Sequence, residues 1–155
     1  MGPVLAQLEQ SGLATWVRES GVLYGYPLIL FLHTLGLSTL VGLNTAIDLR
    51  LLGVGAGIPL ASLERTFRLM WAGLALNAAT GGLLFIADAT RHASNPAFYV
   101  KLACVALAVV TLTRIWSRVF HGPDRGRRLA AASLACWGVA LGAGRLMAYV
   151  SEFIQ

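Results

Sequence analysis

Four long apolar runs, separated by short connections rich in Gly and Pro, set the pattern of this chain. The first covers about residues 26–50, opening as YPLILFLHTLGLSTLVGLN and closing in DLRLLGVGAG ahead of Pro59. The second covers about residues 66–89. The third, about residues 97–119, opens at SNPAF, where Pro96 suits the first turn of a helix. The fourth, about residues 128–150, is entered from the break HGPDRGRR. Each run has the roughly 17–25 residues that a helix needs to cross a bilayer. Residues 3–20 are too polar to span. Pro3, Val4, Leu5, Leu8, Leu13, Trp16 and Val17 predict a weakly amphipathic helix lying on the membrane surface. The expectation is an all-α, four-helix transmembrane bundle with a short N-terminal interfacial helix, forming a single integral membrane domain over residues 1–155.

Composition agrees with the pattern. Of the 155 residues, 57% are hydrophobic and 12% charged, with a mean hydropathy of +0.70. A soluble domain carries about 25% charged residues, so this is an integral membrane protein. The pI near 9.9 does not signal nucleic acid as a partner. The basic residues cluster between apolar runs, and no motif of a nucleic-acid-binding fold is present. Their distribution predicts orientation instead. Arg50, Arg65, Arg68, Arg114, Arg118, Arg125, Arg127 and Arg128 lie on the side of the first and third connections, against Arg18, Arg91, Lys101 and Arg145 on the other. Eight against four predicts a cytoplasmic location for those connections and an outside location for both termini. The first ten residues hold no Lys or Arg, so a positively charged leader region is missing and the first span is expected to insert uncleaved. Cys104 and Cys136 fall within apolar runs and read as buried thiols.

The polar residues within the runs then need a reason. Residues eleven apart on a helix lie within about 20° of one another. His33 and Asn44 share a face of the first run in this way; Asn77 and Asp88 do so on the second, with Gly81 between them. Lys101, Cys104, Val105 and Ala108 form the comparable stripe on the third. On the fourth, Gly138, Gly142, Arg145 and Tyr149 share a face, and GVALG is a small-xxx-small pattern that lets helices approach closely. These faces are expected to meet inside the bundle. By residue count, His33 lies about 9 Å, Lys101 about 6 Å and Arg145 about 8–9 Å from the outer ends of their helices, with Asp88 close to its end. The four are therefore expected to share one layer in the outer half of the membrane, where ionisable residues are costly and pair or bind something.

One acid, Asp88, against Lys101 and Arg145 leaves a surplus positive charge that favours an anionic guest. Haem b fits this description. His33 would supply an axial nitrogen, with His92 a weaker second candidate, and Lys101 and Arg145 would meet the propionates. A quinone or a lipid phosphate would also suit the charges. Plainer readings stand beside these: Lys101 and Arg145 snorkelling to the interface, and His33, Asn44 and Asn77 joining helices through hydrogen bonds. His121, in the last break, reads as solvated.

The strings RESGVLYGYPLILFLHTLGL, DLRLLG, TGGLLFIADATRHASNPAFYVKL and GRLMAY resemble an uncharacterised family of small bacterial inner-membrane proteins, a domain of unknown function. The residues that carry the resemblance are His33, Asn95, Pro96, Phe98, Lys101, Gly144 and Arg145. It implies a four-helix fold in the bacterial inner membrane and no established activity; with the basic asymmetry, the expectation is a multi-pass inner-membrane protein with periplasmic termini. A more distant, topological likeness is to the group containing copper-resistance D-type proteins and the haem-binding J-type protoporphyrinogen oxidase, which also place a His in an early helix. Three functions are therefore expected in competition. The first is a haem-b-binding or redox-associated membrane subunit. The second is a ligand-free accessory subunit, in a larger membrane complex or a homo-oligomer. The third is a small-anion or proton transporter. No nucleophile–base pair or phosphate-binding loop marks an enzyme.

Overall fold

The computed structural model describes residues 2–121 and 125–153, and all regular structure among them is helical. In chain order the helices are α1 (Gly2–Glu9), α2 (Gly12–Glu19), α3 (Gly21–Tyr24), α4 (Tyr26–Leu52), α5 (Leu60–Glu64), α6 (Thr66–Ala87), α7 (Ala89–Ala93), α8 (Pro96–Ile115) with a π-helical extension Trp116–Phe120, and α9 (Arg127–Phe153). Four stretches are long and apolar enough to cross a membrane: Tyr26–Leu52, Leu60–Ala87, Pro96–Phe120 and Arg127–Met147. The protein is a multi-pass, all-α membrane protein. The four expected runs are these four spans.

The N-terminal segment differs from the single surface helix expected over 3–20. It forms two short helices, α1 and α2, broken at Gln10–Ser11. The cause is local. The Ser11 hydroxyl accepts from the Ala14 N–H at 3.3 Å and so caps a new helix, while also donating to the Leu8 carbonyl at 2.6 Å. At the other end of the first span, α4 closes in a Schellman turn. Val54 N–H donates to Leu49 O at 2.9 Å and Gly53 N–H to Arg50 O at 3.2 Å, with Gly53 at φ 107°, a conformation suited to glycine.

The chain divides into two compact units. Unit one comprises Met1–Leu40 and Leu69–Asn95, and so holds α1–α3, the first half of α4, most of α6, and α7. Its defining contact is a backbone crossing of α4 and α6. A Cβ built on Gly36 would lie 2.9 Å from the Gly73 carbonyl oxygen, and one on Gly73 would lie 2.9 Å from the Gly36 oxygen. Two glycines let the helices touch through main chain, the small-residue packing typical of membrane helices. Beyond it, Val17 of α2 packs with Ile29 and Ala87, covered by Leu83 and Leu84. Arg18 ties the N-terminal helices to the end of α6, donating to Ala87 O at 2.8 Å and to Glu9 O at 2.7 Å. A cation at a helix C-terminus is well placed for the unsatisfied carbonyls there.

Unit two comprises Val41–Arg68 and Pro96–Gln155. Its core is the seam of α8 and α9, where Ala108, Leu112 and Ile115 are buried on one helix and Ala130, Ser133, Trp137, Ala140 and Ala143 on the other. The 3–4 spacing of the α9 set marks one stripe. The face through Gly138, Gly142 and Arg145 is a different one, and all three residues are exposed. A Cβ on Gly138 or Gly142 would meet nothing within 4 Å. The expectation that GVALG brings helices together is corrected: small residues occur on both faces of α9, and the one carrying Trp137 packs. At the end of α8, Phe67 stands 4.5 Å from Trp116 and 5.1 Å from Phe120, ring centre to ring centre. Large apolar side chains such as Phe31, Leu35, Leu69, Leu102, Leu107, Val139 and Leu146 point outward, which suits surroundings of hydrocarbon.

Candidate functional site

In unit one the polar residues gather where α4 crosses α6. One turn from the Gly36–Gly73 contact, Asn77 Nδ2 donates to the His33 main-chain carbonyl at 2.9 Å. A turn further, His33 Nδ1 lies 3.0 Å from Thr80 Oγ1. The imidazole is seated against Gly81, where an added Cβ would come within 3.1 Å of its Cε1. The expectation that His33, Asn77 and Gly81 face one another across two helices is met by this geometry.

The hydrogen bonds assign the tautomer. Thr80 Oγ1 lies 2.6 Å from Leu76 O and 3.2 Å from Asn77 O, so its single proton is directed to its own helix's carbonyls. Toward His33 the hydroxyl can then only accept, which puts the imidazole proton on Nδ1 and the lone pair on Nε2. Asn77 Nδ2 stands 3.4 Å from Nδ1 and 3.5 Å from Nε2. That position is too long and too symmetric to belong to one lone pair. A neutral imidazole whose first N–H is fixed by a hydrogen bond is how proteins present a histidine ligand.

Asp88 follows the last residue of α6, and its carboxylate is engaged locally by Arg91 at 3.3 Å, both side chains being substantially exposed. His92 donates through Nδ1 to the Asp88 carbonyl at 2.7 Å and packs on Phe85 with ring centres 6.3 Å apart. Nearby, the Thr90 N–H donates to Glu9 Oε1 at 2.6 Å. This bond, the largest influence on Glu9, holds its carboxyl below the ordinary value of 4.5.

Unit two carries the other two expected residues and a cluster that the spacing argument did not anticipate. The Lys101 stem and ammonium lie along Gly144, with Nζ 4.0 Å from where a Cβ would be. Lys101 is half-buried and Arg145 is exposed, so Arg145 does not face inward as expected. His33 and Asp88 thus belong to one unit, Lys101 and Arg145 to the other. The unanticipated cluster is Asn44, Asp48 and Ser133, all fully buried. Asn44 Nδ2 donates to Asp48 Oδ2 at 2.6 Å and to Ser133 Oγ at 2.7 Å. Asn44 was expected to join helices, and it does so to α9. Asp48 sits one helical turn after Asn44, a spacing at which side chains meet, and that was the available signal.

Among the described residues there is no group of three or more His, Cys, Asp or Glu placed to hold a metal ion. Comparison of the chain with protein-family models, with curated proteins and with solved structures gives no match, so the resemblances read from the sequence gain no support there.

Proposed function

We propose that the protein is a redox-associated membrane subunit that binds haem b through His33. One observation carries the reading: His33 is the histidine within the first span, and its ring is oriented by Thr80, whose Oγ1 stands 3.0 Å from Nδ1 and 2.6 Å from Leu76 O. His33 would be the residue to hold a haem b, which, when bound, would supply one-electron chemistry. Thr80 acts as a positioning residue in this account, fixing tautomer and ring orientation. Asp88, engaged by Arg91, and Arg145, exposed, carry no part of it, and Lys101 is not needed for it. The test is spectroscopic: His33→Ala should remove the Soret band and leave the far-ultraviolet helical signal unchanged. A His33→Ala protein that keeps the band ends the ligand assignment.

A second reading, an accessory subunit without a ligand, is favoured by the Asn77 bond to the His33 carbonyl and by the Gly36–Gly73 crossing. In that case the cluster only locks α4 to α6. For orientation in the bacterial inner membrane that the sequence resemblance implies, the eight-to-four basic asymmetry supports cytoplasmic first and third connections. A cysteine placed at Gly57 should label only from the cytoplasmic side; labelling from outside would reverse the topology.

A further inference from the structure

We propose that Asn44, Asp48 and Ser133 form a binding site for a small monovalent cation, Na⁺ or a proton, inside the membrane-spanning part of unit two. The inference is independent of the His33 reading. It starts from a count of donors and acceptors. Both amide protons of Asn44 are used, one on Asp48 Oδ2 at 2.6 Å and one on Ser133 Oγ at 2.7 Å. This fixes the orientation of the amide and leaves its carbonyl oxygen, Oδ1, without a partner. The Ser133 hydroxyl, having accepted from Asn44, gives its own proton to the Asp48 carboxylate, and Asp48 Oδ1 is still without a partner. All three side chains are fully buried. Two acceptor oxygens in one hydrogen-bonded cluster, removed from water, remain without a hydrogen-bond partner, and a buried unsatisfied polar group is costly.

Charge narrows the occupant. No Lys, Arg or His among the described residues forms an ion pair with Asp48. Arg50, two residues on, is turned away, its Nε donating to Ile58 O at 2.6 Å. Arg127 of α9 reaches Gly53, with Nη2 3.8 Å from where a Cβ would be. From α8 the buried residues of the seam are apolar, Ala108, Leu112 and Ile115. A single carboxylate balances a single positive charge. A divalent ion would stay unbalanced there, and calcium asks for 6–8 oxygens. The oxygen donors of an acid, an amide and a hydroxyl are hard ligands, suited to Na⁺ and not to softer metals. A proton meets the same need differently. Placed on Asp48 Oδ1, it turns one bare acceptor into a donor, and the Asn44 carbonyl is the acceptor that lacks a partner. Trp137 Nε1, one turn beyond Ser133 and also unpartnered, is a donor and takes no part in holding a cation. By residue count Asp48 lies about 6 Å from the Leu52 end of α4 and Ser133 about 9 Å from the start of α9. Ionisable groups at such depth mark ion or proton sites.

The experiment uses the purified full chain in detergent, wild type and Asp48→Asn. Asparagine keeps the shape, removes the charge and offers its own N–H toward Asn44. Thermal unfolding is followed in NaCl against choline chloride, and the infrared spectrum is searched for the C=O stretch of a protonated carboxyl. If Na⁺ is the ligand, it raises the melting temperature of the wild type in a saturable way and leaves Asp48→Asn unmoved, and Ser133→Ala shifts the midpoint to higher Na⁺. If a proton is the ligand, Na⁺ has no specific effect and a protonated-carboxyl band is present that Asp48→Asn abolishes. Either result supports the site. A wild type with neither response holds a bare carboxylate or a water, and overturns the proposal. If Asp48→Asn fails to fold, the wild-type measurements and Ser133→Ala still decide the matter.

Discussion

Gly73→Ala adds one carbon atom where α4 and α6 touch through main chain, and its consequence can be worked from the structure. The new Cβ would stand 2.9 Å from the Gly36 carbonyl oxygen and 3.2 Å from the Leu40 nitrogen. Both are backbone atoms in helices and cannot swing aside as the end of a side chain can, so α4 and α6 must part. Overpacking of this kind costs about 1–3 kcal/mol. The substitution also gains about 1 kcal/mol of helix propensity, because glycine is a poor helix former. Gly138→Ala provides the matched control, since its Cβ would meet nothing within 4 Å. It collects the same propensity gain without the clash. The difference between the two variants therefore isolates the contact. Gly73→Ala should be less stable than Gly138→Ala by about 1–3 kcal/mol, a factor of about 5–140 in the folded-to-unfolded ratio. Unfolding by titration of sodium dodecyl sulfate into a mild detergent, followed by circular dichroism, measures it. A Gly73→Ala protein as stable as Gly138→Ala would refute the crossing as the contact that holds unit one.

Two further outcomes are expected. Thr80→Val keeps the shape of the side chain but removes the acceptor of the His33 Nδ1 proton, and loss of such a partner costs about 10–100-fold in affinity; a haem titration in which Thr80→Val matches the wild type would show that Thr80 does not position the ring. Glu9, held below its ordinary value of 4.5 by the Thr90 N–H, contributes stability that is present above that value and lost as pH falls through the lowered one. Protection of the Thr90 amide against hydrogen exchange should therefore persist at neutral pH and decline only below 4.5, and Glu9→Gln should lack this pH dependence. Protection that is flat across acid pH in the wild type would remove the Glu9 bond from the account.

Much of this architecture was legible in the residues. The four spans follow from length and apolarity alone, and the eleven-residue relation between His33 and Asn44 marks the true inward face of α4, on which Ile29, Leu40, Asn44, Ile47, Asp48 and Leu51 are buried. Asn77 and Gly81 likewise face inward on α6. Asp48 was not anticipated because it sits in DLRLLG, where the run gives way to a turn and an acid looks terminal. Ser133 is inconspicuous in AAASLAC, since a lone serine on a membrane helix more often bonds to its own backbone. On α9 the spacing of Gly138 and Gly142 was real but did not say which face packs. Small residues permit an approach, while the buried Trp137 commits the helix to one. Arg145 followed the glycines outward. The N-terminal break was present as Ser11–Gly12, a capping signal overridden by the amphipathic pattern on either side.

The measurement that bears most directly on the proposed function is the absorption spectrum of the wild-type protein, purified in mild detergent from cells supplied with ample haem. Haem binding through His33 predicts a Soret band that co-purifies with the chain and shifts on reduction with dithionite. A colourless protein, folded by circular dichroism and unchanged on incubation with haem, would contradict it.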